Sequence, residues 1–488
     1  MPDFDRLYIG GRWEAPAGND RFTILSPSDQ SLVGTAPEAT NADVDKAVAA
    51  ARSAFDHGPW PWTTGPERAE VLAKISTGIQ TRMDDLAKLI AHENGSPYSF
   101  AIMAQVLAAS MVFDYFTDLA RTYPFEEVRA GMLGPTVVRK EPVGVSAGII
   151  PWNVPLYIIA MKLGAAIAAG SPMVIKPSPE TPLDALAFAE ILDEAGLPEG
   201  VVSILPAGRE VGQHLISHPG IDKVAFTGST AVGRHIASVC GQQLKRVTLE
   251  LGGKSAAIIC DDANLDTTIP ALLPFAIMNN GQACVAQTRI LAPRRRYDEV
   301  AEALAAAVGA MVVGPAIDPA TECGPLVAER QRDRVEGYLQ IGRDEGARVA
   351  VGGGRPAGLD DGWFVEPTLF VDVDNSMRIA REEIFGPVLT LLAYDDDAEA
   401  VAIANDNDYG LSGTVWTEDA ERGLDIARKV RTGTYTVNAF GLDFGSPFGG
   451  FKASGIGREL GPEGLGAYLE AKSISMPADW TPKESTAG

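Results

Sequence analysis

Four cysteines occur in the 488 residues, and their surroundings differ. Cys240 and Cys260 sit among apolar neighbours, whereas Cys284 closes the polar, glycine-containing run Asn279-Asn280-Gly281-Gln282-Ala283-Cys284. A thiol attacks only as the thiolate, so a nucleophilic cysteine needs an electropositive setting or a base within reach. No histidine lies near Cys284 in the chain, and a lone cysteine is more often a small inert filler. A candidate base is Glu250, an acid that ends the apolar run Val247-Thr248-Leu249 and precedes Leu251-Gly252-Gly253. Burial raises such a carboxyl toward the range of general-base chemistry; the bland alternative is a partner for a buried lysine or for backbone amides. Asn153 follows Trp152 in a turn stiffened by Pro151 and Pro155. A carboxamide held there could donate its N–H groups to a developing oxyanion.

Two further segments have the composition of a nucleotide site. Gly228-Ser229-Thr230-Ala231-Val232-Gly233 opens a helix directly after a strand ending at Thr227, which offers unpaired N–H groups and the positive end of the helix dipole to a phosphate. The middle glycine of G-x-G-x-x-G is missing, and Ser or Thr at a helix start also serves simply as a cap. Lys176 ends a strand before Pro177 and Ser178, so its ammonium emerges at a sheet edge, toward a ribose or phosphate or toward solvent.

The elements that must position these groups are legible from periodicity. Short β-branched runs at Val143 to Ile150, Met173 to Lys176, Val201 to Leu205, Lys223 to Thr227 and Arg246 to Leu251 read as strands separated by helical patterns. That alternation predicts βαβ units and a doubly wound parallel sheet, which binds ligands at the carboxyl ends of its strands. A second alternating series fills 270 to 465: helices near Glu299 to Met311 and Ala420 to Val430, strands at Val388 to Ala393, Leu411 to Trp416 and Thr434 to Asn438. Earlier, one helix starts after Asn41 as N-cap and more helix runs from about Pro66 to Glu93. Another takes Thr181 as N-cap, Pro182 as first helical residue and Gly196 as its stop. Lys483 to Gly488 read as a frayed tail.

Composition narrows the function. A formal charge of −23 repels a phosphate backbone, so no nucleic-acid partner is expected, and Arg294-Arg295-Arg296 reads as a solvated loop. The most apolar stretch, Gly144 to Ala169, is broken by Pro151, Pro155 and Lys162, and the N-terminus resembles no targeting signal; a cytoplasmic protein without a membrane partner is expected. The cysteines are too sparse for a disulfide framework, and the five histidines (His57, His92, His214, His218, His235) form no metal motif and read as structural or surface residues.

Phe226-Thr227-Gly228-Ser229-Thr230, Leu249-Glu250-Leu251-Gly252-Gly253-Lys254, Gly281-Gln282-Ala283-Cys284, Glu382-Glu383-Ile384-Phe385-Gly386-Pro387 and Ser446-Pro447-Phe448-Gly449-Gly450 together resemble, in order, the signature segments of the NAD(P)-dependent aldehyde dehydrogenase superfamily. The similarity runs from Tyr8-Ile9-Gly10-Gly11 to about Met476. It implies an α/β protein in three parts: a Rossmann-type cofactor domain (1–123 and 143–251), an α/β catalytic domain (252–467) and a small β oligomerisation arm with a tail (124–142 and 468–488).

The resemblance also implies roles. Cys284 attacks the aldehyde, Asn153 and the Cys284 N–H hold the oxyanion, and Glu250 activates water to open the thioester. Lys162 and Glu459 match a proton relay. Cofactor contacts fall on Ile149, Pro151, Trp152, Lys176, Ser178, Gly208, Gly212, Phe226, Gly228, Ser229, Gly233, Leu251, Glu383 and Phe385, and no metal is implied.

Where many NAD-using members carry a Glu for the ribose, this chain has Pro179, with Glu180 one place later. Repulsion of a 2′-phosphate is thereby reduced and NADP becomes possible, while the lack of an added Arg beside Lys176 favours NAD. Val154, Met161 and the loop Phe440 to Phe444 replace bulkier aromatics of better-known members, which suggests a roomy pocket for an apolar aliphatic, terpenoid or aromatic aldehyde. Alternatives are a semialdehyde dehydrogenase, a CoA-acylating relative, against which Glu250 argues, and a catalytically silent nucleotide-binding relative. A homodimer or homotetramer is expected.

Overall fold

A computed structural model describes residues 2–482; the expected tail Lys483 to Gly488 lies outside the described residues. The β-branched runs between 143 and 251 lie side by side in an eight-stranded sheet, in the order Gly455–Ile456, Arg246–Glu250, Lys223–Thr227, Ser146–Ile149, Met173–Lys176, Val202–Ile204, Leu7–Ile9, Arg12–Glu14. The five strands from Arg246–Glu250 to Val202–Ile204 are parallel, and the remaining three are antiparallel additions. From Ser146–Ile149 the chain builds outward to Met173–Lys176 and Val202–Ile204, then returns to add Lys223–Thr227 on the other side. That reversal opens a crevice beyond the carboxyl ends of Ser146–Ile149 and Lys223–Thr227.

A seven-stranded sheet holds the later series, in the order Arg348–Val351, Thr368–Val371, Val388–Tyr394, Arg289–Pro293, Ala256–Ile259, Gly413–Trp416, Thr436–Val437. All of its pairings are parallel except the first. A third sheet, Leu469–Ser475, Thr136–Pro142 and Glu126–Arg129, is antiparallel and largely exposed. Parallel strands covered on both faces read as nearly continuous apolar runs, which is why the five parallel strands of the first sheet were visible in the sequence, whereas in the second sheet Ala256–Ile259, Arg289–Pro293, Thr368–Val371 and Arg348–Val351 were not read.

Helix Pro155–Ala169 is buried at every residue, with Pro155 supplying the first-turn position that lacks an N–H partner. The continuous helical run Tyr98–Thr122 is long and apolar enough to cross a membrane, yet half of its most apolar window is buried within the protein. Its part Ala108–Thr122 packs against helices Gly65–Thr81 and Pro155–Ala169 as a core element.

Three helix boundaries differ from expectation. Thr40, not Asn41, is the N-cap of Asn41–Asp56: its side chain accepts from Asp43 N while the Asp43 carboxylate accepts from Thr40 N. The helical stretch after Pro66 is two helices, Gly65–Thr81 and Met83–Asn94, interrupted at Arg82. Helix Leu183–Ala195 starts after Pro182, and its cap comes from a distant residue: the Glu93 carboxylate accepts from Leu183 N at 2.7 Å and Asp184 N at 3.0 Å. The Thr181 hydroxyl is consequently left without a hydrogen-bond partner.

Candidate functional site

At the crevice of the first sheet lies a cleft of about 1160 Å³. Ile149, Pro151, Trp152, Lys176, Ser178, Gly208, Gly212, Phe226, Gly228 and Ser229 line it, as expected for a bound nucleotide. Ser229 caps helix Thr230–Gln243, so the first turn of that helix faces the cleft. Gly233 lies one turn in, where an added Cβ would stand 2.4 Å from the Leu251 side chain. These two residues set how closely the helix approaches the sheet. Glu383 and Phe385 approach from the other side: Phe385 meets Trp152 edge-on at 5.3 Å, and Glu383 accepts from Gly253 N at 2.9 Å. Burial raises the Glu383 carboxyl above its ordinary value.

Lys176 is buried and donates to the carbonyls of Pro177, 2.9 Å, and Ala207, 2.7 Å. Desolvation lowers its pKa to about 8, against the pull of Glu180 and Glu38. The sequence offered no arginine near Lys176; the structure brings two to the same cleft, Arg209 and Arg330. Arg330 is ion-paired with Glu180, whose other oxygen accepts from the Ser178 hydroxyl.

The chemistry-bearing residues come from the end of strand Arg246–Glu250, the turn after Ser146–Ile149 and the loop before Arg289–Pro293. Asn153 Nδ2 donates to the Gln282 carbonyl at 2.9 Å, which ties the carboxamide to the loop carrying Cys284. The chain enters that loop through Asn279 and Asn280, both in the left-handed region at φ 52° and 60°, a conformation that asparagine tolerates better than most residues. Gly281 continues it at φ 73°, and a Cβ there would collide with the Gly386 carbonyl at 1.9 Å. Cys284 is partly exposed, and burial of its thiol, followed by the nearby carboxylates of Glu383 and Glu250, pushes its pKa up to about 12. The N–H groups of Cys284 and Val285 act in the opposite direction.

Both oxygens of Glu250 are buried without a protein partner. Desolvation and then the charge of Glu459 hold its carboxyl well above the ordinary range, opposed by Lys162 and Arg458. Lys162, on the wholly buried helix, is paired with Glu459 and donates to the Thr227 hydroxyl at 2.8 Å. A lysine in such a helix requires partners, and these two satisfy it.

Val154, Tyr157, Met278, Cys284, Phe440, Leu442 and Phe444 belong to one apolar cluster, in which Tyr157 lies close enough to Cys284 for charge on the sulfur to act on its hydroxyl. Phe440 stacks on Phe275 at 4.9 Å, and Tyr157 approaches Phe444 at 6.5 Å. Met161 is fully buried in the core of the same cluster. Sequence reasoning missed Tyr157, Asn94, Asn279 and Arg330. Asn279 alone carried a signal, as one of two consecutive asparagines before a glycine.

His214 and His218 turn toward Asp45, with ring nitrogens 2.6 and 3.5 Å from one carboxylate oxygen, a spacing that could suit a cation. His218 Nδ1 accepts from Gly220 N at 3.0 Å, so the neutral ring carries its proton on Nε2 and faces Asp45 as a donor. A hydrogen-bonded tie between two helices accounts for this arrangement.

Comparison with known proteins agrees in sequence and in fold. Residues 13–474 match the model of the aldehyde dehydrogenase family. Geranial dehydrogenase of Castellaniella defragrans is 48% identical over 475 residues, covering 97% of this chain and 99% of that protein. A Mycobacterium tuberculosis aldehyde dehydrogenase crystallised with NAD+ superposes with a TM-score of 0.97 at 50% identity, over 98% of this chain and 99% of the other. A mutant of aldehyde dehydrogenase C from Pseudomonas syringae, in complex with NAD+ and octanal, gives 0.94 at 42% identity over 98% of both chains. With likeness at these levels along nearly its whole length, the chain belongs to the aldehyde dehydrogenase family.

Proposed function

We propose that the protein oxidises an apolar aldehyde to the carboxylic acid with NAD, through a thioester on Cys284 that water opens. The observation that carries this reading is the 2.9 Å bond from Asn153 Nδ2 to Gln282 O, which ties the carboxamide, with one N–H left over, to the loop that carries the thiol, and Glu250 lies close enough for its charge to act on the sulfur.

The partly exposed thiol passes its proton to solvent water, Cys284 Sγ bonds to the aldehyde carbon, and the carbonyl oxygen becomes an alkoxide. The remaining Asn153 N–H and the Cys284 backbone N–H donate to that oxygen. NAD, when bound, supplies the acceptor for the hydride. Glu250 then removes a proton from water, the water oxygen attacks the thioester carbon, and Sγ leaves as thiolate. Lys162 and Glu459, already paired, pass on the proton that Glu250 collects.

The cleft suits NAD in its own terms: a helix N-terminus for the pyrophosphate, buried Lys176 and Ser178 for the adenosine ribose, and Glu383 with Phe385 for the nicotinamide ribose. Glu180, held by Ser178 and Arg330, offers a carboxylate toward the ribose in place of the acid missing at Pro179, while Arg330 and Arg209 leave room for NADP as the weaker cofactor. The apolar cluster at the thiol supports an aliphatic, terpenoid or aromatic substrate, and the related geranial dehydrogenase and octanal complex have names of that kind.

Residues 1–123 and 143–251 serve as the cofactor domain, 252–467 as the catalytic domain, and 124–142 with 468–488 as the oligomerisation arm and tail, of which 483–488 lie outside the described residues. We place the enzyme in the cytoplasm, a reading supported by four unpaired thiols, as a homodimer or homotetramer. Initial rates with NAD against octanal, geranial, benzaldehyde and a carboxylated semialdehyde test the substrate class. Preference for the first three supports it, and preference for the semialdehyde overturns it.

A further inference from the structure

If Asn153 is the oxyanion donor, as proposed above, something must fix the direction in which its carboxamide points. One of its two N–H groups is committed to Gln282 O. Its backbone carbonyl is gripped by two side chains, Asn279 Nδ2 at 2.9 Å and Asn94 Nδ2 at 3.1 Å. Those two asparagines are themselves joined through Ser96: its hydroxyl donates to Asn279 Oδ1 at 2.6 Å, and its backbone N–H donates to Asn94 Oδ1 at 2.9 Å.

The bonds close a ring through Asn153, Asn279, Ser96 and Asn94, and all four residues are buried. Every donor in it has a determined sense. Gln105 Nε2 donates to Ser96 Oγ at 2.8 Å, which leaves the hydroxyl proton to point at Asn279 Oδ1. Asn279 must then turn its NH₂ toward the Asn153 carbonyl. Gln105 reaches inward from the π-helical turn Ala101–Leu107, a local irregularity of the kind often found beside functional sites.

We infer that Ser96, oriented by Gln105, is a positioning residue for the oxyanion hole: it holds Asn279 in the amide orientation that pins Asn153 at the angle required by the reacting oxygen. Without the Ser96 hydroxyl, Asn279 Oδ1 is left buried without its donor, and the carboxamide that grips the Asn153 carbonyl loses its second anchor. The Asn153 carboxamide then shifts relative to Cys284, while Lys176, Ser178 and Ser229 of the cofactor cleft, which bond to no member of the ring, keep their places.

The test is a double-mutant cycle between Ser96→Ala and Asn153→Ala, read as kcat and as KM for NAD and aldehyde. Asn153→Ala is expected to lower kcat about 100-fold, and Ser96→Ala about 10-fold with KM for NAD changed less than about 2-fold. In the Asn153→Ala background the further loss from Ser96→Ala is expected to vanish, because the two act as a unit. An undiminished Ser96→Ala enzyme, or an equal loss in both backgrounds, overturns the inference while leaving the role of Asn153 intact. Full activity of Asn153→Ala instead overturns the oxyanion reading itself. Should Ser96→Ala not accumulate folded, Gln105→Met, which removes the orienting donor from outside the ring, enters the same cycle and is judged by the same outcomes.

Discussion

Cys284 and Glu250 lie close enough for charge on the carboxyl to act on the sulfur, and burial raises both groups above their ordinary values. The thiol lies near 12, and the carboxyl well above its ordinary range for want of any partner. A base acts only when deprotonated, so the acid limb of kcat for thioester hydrolysis is expected above the ordinary carboxylate range. Glu250→Gln should retain a first-turnover burst of NADH and lose at least about 100-fold in steady-state rate; equal loss in both phases contradicts its assignment to hydrolysis. Cys284→Ala should abolish both. Lys176, lowered to about 8, loses its charge as pH rises through that value. KM for NAD is therefore expected to climb above pH 8, and Lys176→Gln to flatten that profile. Glu180→Gln should raise kcat/KM with NADP relative to NAD by roughly 10-fold, the scale of one charged hydrogen bond. These residues were legible because each stood out locally, as a thiol in polar sequence or an acid in an apolar strand. Asn94, Ser96 and Arg330 were not, since each acquires its meaning through a contact across more than fifty residues.

Parallel strands were read within a residue or two at Met173–Lys176, Lys223–Thr227 and Arg246–Glu250, because strands buried on both faces need unbroken apolar sequence. The start of helix Leu183–Ala195 was misplaced for the opposite reason. Thr181-Pro182 has the local pattern of a cap, and a carboxylate from Glu93 performs the capping instead. That carboxylate lies beside buried Asp184, and desolvation raises both, Asp184 to about 8 from 3.8. The folded state thus binds more protons than the unfolded chain, so stability from this pair is full below 3.8 and declines as pH rises toward about 8. Thermal unfolding followed across that interval should show the decline, and Asp184→Asn should lessen it. Helix Thr230–Gln243 supplies a second check: Gly233→Val must push the helix from Leu251, raising KM for NAD with kcat less affected.

At the scale of the whole molecule, the exposed third sheet and its bare side chains Val128, Met132, Leu133 and Ile474 ask for a cover that a second copy of the chain supplies in the proposed assembly. Light scattering should report two or four chain masses, and Ile474→Asp with Leu133→Asp a smaller species. The order of the chain through the first sheet has another result. The strand Gly455–Ile456 pairs with Leu249 and Glu250, and Glu459 pairs with Lys162, so the proposed chamber around Glu250 is finished by residues that follow Cys284 far along the chain. During vectorial synthesis the thiol leaves the ribosome more than a hundred residues before the segment that walls in its base. On the proposed mechanism, a chain truncated before Gly455 carries the nucleophile without the segment that walls in its base, and competence to hydrolyse arrives only once Gly455 to Glu459 has been made.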